Sequence, residues 1–263
     1  MIRPIITLTT DFGLSDHFVG VMKGVILGIQ PAAQLIDISH GVQPYDIADG
    51  AFTIVQAYRY FPKKTVHVVV VDPGVGSARR PLLAEVAGQY FVAPDNGVLS
   101  MVFTRETAVR VRHITNERYF LHPVSRTFHG RDVFSPVAGH LATGVKPSQF
   151  GMPIKDYLRA SFEEPTHTGK RTWSGAILKA DHFGNLATNF HVDQFPNFRT
   201  HAFALKVGLQ VITRLALTFS ECEAGELFVV VGSSGYLEVA ASQGSAAKAL
   251  GCGAGSPVEL TIY

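Results

Sequence analysis

Cysteine is almost missing: Cys222 and Cys252 are the only two in 263 residues. That is too few for a disulfide framework and points to a reducing compartment. A surplus of one charge is also missing. Lys+Arg 23 against Asp+Glu 21 leaves a formal net charge of +2, which excludes a bulk pull toward nucleic acid or an anionic membrane. Long apolar runs are absent, the longest being strand-sized stretches such as Val68 to Val71. A membrane span needs ~20 such residues. The start, Met1-Ile2-Arg3-Pro4, lacks a signal-peptide core and cleavage site. Internal repeats and low-complexity segments are absent too. The expectation is a soluble, cytoplasmic protein with no nucleic-acid or membrane partner.

What is present is core material. Hydrophobic residues make up 46% and charged residues 17% of the chain. At this length, a single core is near the size where chains split into domains. Ile5 to Thr9 reads as a strand. A helix follows, with Asp16 as its expected N-cap and Phe18, Val21, Met22, Val25 and Ile26 at helical spacing. Leu35 to Ile38 is a second strand, and Asp46 is placed to cap a second helix that ends at Pro62. Val66 to Val71 is β-branched on both faces, as in a central strand covered on both sides. Strand, helix, strand, helix, strand is the order of a doubly wound, Rossmann-like α/β sheet. Ala87-Gly88-Gln89 turns between two further strands, and Asp132 to Thr143 reads as the last helix.

The pattern changes near Ala160. The expected organisation is an α/β domain over 1–160, a linker over 161–171 and a small β-barrel domain over 172–263, built from short strands such as Trp173 to Leu178 and Val258 to Ile262.

Ligands of open α/β sheets bind outside the carboxyl ends of the strands, and the polar residues gather there. The first strand delivers Asp11, with Asp16 and His17 beyond it; the second delivers His40 and Tyr45. The central strand delivers Asp72 and the run to Arg79, and a later loop delivers His129-Gly130-Arg131-Asp132. Each has a plainer explanation. Asp11 suits a turn, Asp16 a helix cap, and His129 a hydrogen-bonded loop. Gly74-Val75-Gly76 is half a dinucleotide fingerprint with neither the third glycine nor the helix. A metal site from Asp11, Asp16, His17 and His129 lacks any compact two-histidine helix motif, so none is expected. Together, an acid, a guanidinium and an imidazole at one sheet edge form a constellation suited to activating water.

Six blocks carry a more specific signal: Thr10 to Gly13, His40 to Asp46, Val71 to Ser77, Ala93 to Gly97, Thr127 to Asp132 and Asp181 to Asn185. In these the chain resembles, over its whole length, the S-adenosylmethionine hydroxide adenosyltransferases, relatives of the fluorinating and chlorinating enzymes. The resemblance implies that water displaces methionine from the 5′ carbon of S-adenosylmethionine, giving adenosine and L-methionine without a cofactor. It implies a homotrimer whose sites lie between subunits. Carried over by position, Asp11 binds the ribose diol, Tyr45 packs on the sugar, and Phe183 and Asn185 meet the adenine. Asp16, Asp181 and Ser233 address the amino acid group, and Asp72, Arg79 and His129 handle the water.

Two departures set the chain apart from the halogenating relatives. Asp72 and Val75 stand where those have a tyrosine and a threonine, and Gly130 stands where their serine contacts the halide. Ser234 replaces an arginine near the methionine carboxylate. Asp72 beside Arg79 suits an orienter of water, and His129, with an ordinary pKa of ~6.5, suits a proton acceptor. Direct stabilisation of hydroxide by Arg79 is the alternative. A non-catalytic sensor of the same ligand needs Asp11 and Asn185 but not this trio; a slow halogenase is the other alternative.

Overall fold

The computed structural model describes residues 3–162 and 164–263. Met1 and Ile2, and Glu163 within the expected linker, lie outside the described residues. The chain divides into two compact units, Met1–Ala160 and Ser161–Tyr263.

In the first unit β1 (Ile5–Thr10), α1 (Phe18–Ile29), β2 (Gln34–Ser39), α2 (Ile47–Ala57) and β3 (Val66–Val70) follow in the expected order. After them come β4 (Pro81–Val86), β5 (Gln89–Pro94), α3 (Ser100–Arg105), β6 (Val109–His113), α4 (Ser135–Ala142) and β7 (Pro153–Ile154). Their sheet runs β2-β1-β3-β5-β4-β6-β7. The first four strands are parallel, while β4 lies antiparallel to β5 and β6. The reversal is local chemistry: Ala87 (φ 53°) and Gly88 (φ 78°) form the two-residue left-handed turn that suits a twisted hairpin.

Both faces of the sheet are covered. Val66, Val68 and Val70 pack with Met22 and Ile26 of α1 and Val137 and Leu141 of α4. Val69 and Val71 pack with Ile54 and Val55 of α2 and Val102 and Phe103 of α3. Every residue of β3 is buried, His67 included, as expected of a central strand with valines on both faces. Full burial of each such valine contributes ~1.5–3 kcal/mol.

Two helix boundaries differ from expectation. His17, not Asp16, occupies the N-cap of α1, and no side chain caps that helix. Asp46 does cap α2, accepting from Asp49 N. The helix expected from Asp132 begins instead as a π-turn over Gly130–Phe134 before α4. Pro136 has no N–H to return to the Asp132 carbonyl, and Leu121 N donates to that carbonyl at 2.8 Å. Ser135 Oγ donates to Gly130 O at 2.7 Å and stabilises the wider turn.

The second unit holds β8 (Thr166–Gly169), β9 (Thr172–Ala180), β10 (Leu186–His191), β11 (Phe203–Val207), β12 (Gln210–Ile212), β13 (Leu227–Val231), β14 (Tyr236–Ala241), the short α5 (Ala246–Leu250) and β15 (Pro257–Ile262). The sheet runs β12-β11-β15-β9-β10-β14-β13, all antiparallel, with β8 added to β9. Part of the stretch expected as linker is therefore strand. After β12, Leu215 bridges Val229 of β13, which brings the sheet's two ends together into a nearly closed barrel. Phe190, Phe198, Leu205, Leu237 and Leu260 fill its core.

Candidate active site

The order β2-β1-β3 fixes where a site can form in the first unit. The chain leaves β1 toward β2 on one side, then crosses back to β3 on the other. The carboxyl ends of β1 and β3 thus flank a topological switch point, where such sheets open a crevice. Asp11 follows β1, and Asp72 follows β3 by two residues.

Beyond Asp72 the backbone folds into tight turns. Val75 N donates to Asp72 O at 3.2 Å, and Ser77 N to Gly74 O at 3.1 Å. Gly76 lies at φ +77°, and a Cβ there would sit 2.2 Å from Arg126 O. Only glycine lets the 72–79 loop lie against the loop that carries His129. From behind, Asn96 Nδ2 donates to Val71 O at 2.8 Å and fixes the approach to Asp72.

Asp72, Arg79 and His129 form one cluster. Arg79 Nε donates to Asp72 Oδ1 at 2.9 Å and Nη2 to Oδ2, a two-pronged pair. Nη2 also donates to His129 Nδ1 at 2.7 Å. The Asp72 side chain is 4% exposed and that of Arg79 7%, and the guanidinium lies 5.4 Å from the centre of the Phe134 ring. Arg79 Nη1 is buried and has no hydrogen-bond partner among the described residues. An arginine only donates, so the network assigns Nδ1 as acceptor and places the proton of a neutral imidazole on Nε2. Burial pushes His129 below its ordinary range, Arg79's charge adds to this, and Asp72 and Asp132 pull the other way. Asp132, fully buried, accepts from Ser125 N at 2.8 Å and from Arg131 Nε at 2.6 Å. It shapes the loop that presents His129.

Asp11 accepts from Tyr45 N at 2.9 Å. Tyr45 has φ 68° and a 73% exposed side chain, so its ring faces outward from a constrained backbone. Asp16, between Asp11 and α1, is exposed and makes no helix cap.

In the second unit, Asp181 and Asn185 close the β9–β10 turn on themselves. Asn185 N donates to Asp181 Oδ1 and Asn185 Nδ2 to Oδ2, both at 2.8 Å. Gly184, at φ +86°, would place a Cβ 2.0 Å from Ser245 Oγ. The turn leaves Phe183 74% exposed. Phe183 and Asn185 line a cleft of about 450 Å³ with Phe219, Ala241, Gln243 and Gly244. Ser233 is exposed at the tip of the β13–β14 hairpin. Glu238 lies against Gly232 of that tip, its carboxyl pushed up by burial and then by the charge of Asp181.

The trio, Asp11 with Tyr45, and Asp181 with Asn185 each come together as neighbours. Sequence reasoning missed Asn96, Phe219 and Glu238. Asn96 lies in the Ala93 to Gly97 block, where it had no assigned role, and the exposed Phe219 lies between Thr218 and Ser220, outside every motif.

Comparison with known proteins bears on these arrangements. The family description "SAM hydroxide adenosyltransferase N-terminal domain" matches residues 6–151, and its C-terminal counterpart matches residues 175–259. An (R)-S-adenosyl-L-methionine hydrolase from Salinispora tropica is 36% identical, with 98% of each chain covered. A fluorinase from Actinoplanes sp. is more distant, at 27% identity over 98% of each chain. The crystal structure of a conserved protein from Thermotoga maritima superposes with a TM-score of 0.90 at 36% identity, covering 97% of this chain and 99% of that one.

Proposed function

The chain belongs to the SAM hydroxide adenosyltransferase family, and on that premise we infer that it hydrolyses S-adenosyl-L-methionine to adenosine and L-methionine. Water supplies the 5′ oxygen, the C5′–S bond breaks, and one proton is released. The sulfonium makes methionine a neutral leaving group, so this scheme calls for neither a cofactor nor a metal. Dialysis against a chelator should leave the rate unchanged.

The observation that carries the mechanism is the interlocked trio. Two of Arg79's three nitrogens are engaged by Asp72 and His129. Nη1 remains as the buried donor that holds the attacking oxygen and stabilises its developing charge. His129 spends its Nδ1 lone pair on Arg79. This favours a role in steering the guanidinium over the proton acceptor expected from its ordinary pKa. A carboxylate has about four lone-pair sites, two of which face Arg79, so Asp72 is left to take the water's proton. Gly130 stands where the halogenating relatives carry a serine, and Met22 Sδ and Phe128 Cε2 would each sit 3.2 Å from a Cβ there. Both features favour water over halide.

Asp11 binds the ribose diol and Tyr45 covers the sugar. Phe183 and Asn185 receive the adenine, with Phe219 lining the same cleft. Asp16, Asp181 and Ser233 hold the amino acid end. The exposed rings of Tyr45 and Phe183 fit a homotrimer in which neighbouring subunits complete each site. Two free cysteines suit a cytoplasmic setting. The test is incubation with S-adenosylmethionine in ¹⁸O-labelled water, with and without chloride. Labelled adenosine and equimolar methionine, unaffected by chloride, are expected. A chlorinated nucleoside would make the protein a halogenase, and tight binding without turnover would make it a sensor.

A further inference from the structure

His40 takes no part in the scheme above, yet it is 5% exposed and grips both ends of the Asp11 turn. Its carbonyl accepts from Gly13 N at 2.8 Å. Its Nδ1 lies 2.8 Å from Thr10 Oγ1, and that oxygen accepts from Phe12 N at 3.2 Å. Asp11 is therefore held between Thr10 and Gly13, both tied to one histidine on the next strand's loop. On the far side of the ring, Nε2 lies 3.0 Å from Asp37 Oδ1, and Asp37 Oδ2 is held by Lys23 Nζ at 2.6 Å. A carboxylate beside Nε2 favours the proton there, which leaves Nδ1 to accept from the Thr10 hydroxyl. Thr10 Oγ1 then spends its proton on His40 and a lone pair on Phe12 N, so its rotor is fixed.

We propose that His40, acting through Thr10, is a positioning residue that sets the Asp11 carboxylate for the ribose hydroxyls of the substrate. The proposal rests on the assignment of Asp11 to the ribose. Phe12 anchors the turn from below by packing against Phe18 and Phe128, but among the described residues the polar ties that set the backbone around Asp11 run to His40 and its loop. Gly13 sits at φ +67°, with nothing within 4 Å of where a Cβ would be, and no side chain caps the helix that follows. The Asp11 carboxylate accepts from Tyr45 N, in a loop that itself descends from His40. One buried histidine thus sets both loops that meet at Asp11.

The experiment compares adenosine with 2′-deoxyadenosine as ligands, by calorimetry, in Thr10→Val, His40→Leu and His40→Asn. Loss of the clamp should weaken adenosine about tenfold and 2′-deoxyadenosine about threefold or less, since only the first offers Asp11 both hydroxyls. The KM for S-adenosylmethionine should rise in parallel while kcat stays within about threefold, because the water-handling trio is untouched. His40→Asn places an amide oxygen near the Nδ1 position and should restore most of the adenosine affinity lost in His40→Leu. A partly unfolded variant lowers the number of sites for both ligands alike, so the ratio of affinities still reads the clamp. Equal losses for the two ligands, or no loss in Thr10→Val, overturn the proposal. Asp11→Ala run alongside separates the premises: if it fails to distinguish the ligands, the ribose assignment itself is wrong. If it distinguishes them and Thr10→Val does not, only the clamp is wrong.

Discussion

The two units present their polar groups in opposite ways. In Met1–Ala160 Asp72 and Arg79 are turned inward onto each other, with side chains less than a tenth exposed, and Arg79 Nη1 is left over. In Ser161–Tyr263 the candidate residues ride on hairpin turns. Asp181 and Asn185 close their own loop, and Phe183 and Phe219 keep 74% and 48% of their surface in the open. Stabilising a developing charge requires dipoles fixed before the reaction, in a place that water does not flood. Gripping a flat, neutral base requires aromatic faces that remain accessible until it arrives. On the proposed assignment, chemistry falls to the buried groups and binding to the open ones.

The largest expected effect tests the buried side of this contrast. Arg79→Met leaves the Asp72 carboxylate buried without its partner, so stability should fall by about 3–5 kcal/mol, and hydrolysis should become undetectable. Asp181→Asn, which alters a charge at an exposed turn, should cost less than about 1 kcal/mol in stability. Thermal and denaturant unfolding of the two variants checks the ordering. Similar losses would erase the contrast.

Acid sensitivity should follow the same line. His67 on β3 is fully buried, with Thr7 Oγ1 at 2.7 Å and the Phe91 ring stacked at 4.7 Å. Burial brings its pKa down to about 4. Between pH 6.5 and 4 the unfolded chain takes up this proton and the folded one does not, so stability falls as the pH falls. The loss from this group amounts to about 3 kcal/mol. His67→Asn should flatten that part of the stability curve, and an unchanged slope would place the acid lability elsewhere.

A smaller effect belongs to the open cleft. Phe183→Ala should weaken adenosine by about 0.5–1.5 kcal/mol, with kcat little changed. A kcat loss larger than the affinity loss would give this ring a part in the chemistry. Smallest is a shift in pH dependence. Protonating His129 would remove the acceptor that Arg79 uses, and burial holds the imidazole below its ordinary range. The kcat profile should therefore stay flat as the pH falls through ~6.5 and drop only further into acid.

Much of this was legible in the chain because the first unit obeys simple periodicities. The valine-rich β3 and the Asp46 cap could be read directly. The misses have physical causes. Strand β10 was hidden because its Thr188 and Asn189 look like loop residues. In the fold they are buried, with Thr188 Oγ1 donating to Leu237 O at 2.7 Å and Asn189 Oδ1 accepting from Ala176 N at 3.0 Å. Strand β8 is three polar residues and a glycine, extended only because β9 offers an edge. The residues of the trio stood out as a set, but their geometry did not. Nothing in the sequence indicates that Arg79 occupies Nδ1 of His129, since that depends on Gly76 letting two loops touch.

The account turns on Asp72, Arg79 and His129 acting on the attacking water and not on the nucleoside. The direct measurement is the single-turnover rate of methionine release by Asp72→Asn at saturating S-adenosylmethionine, with the adenosine Kd determined on the same preparation. The account predicts a rate lower by about 10²–10⁴-fold and a Kd within about twofold of wild type. A near wild-type rate would show that the trio is structural and that the water is activated elsewhere.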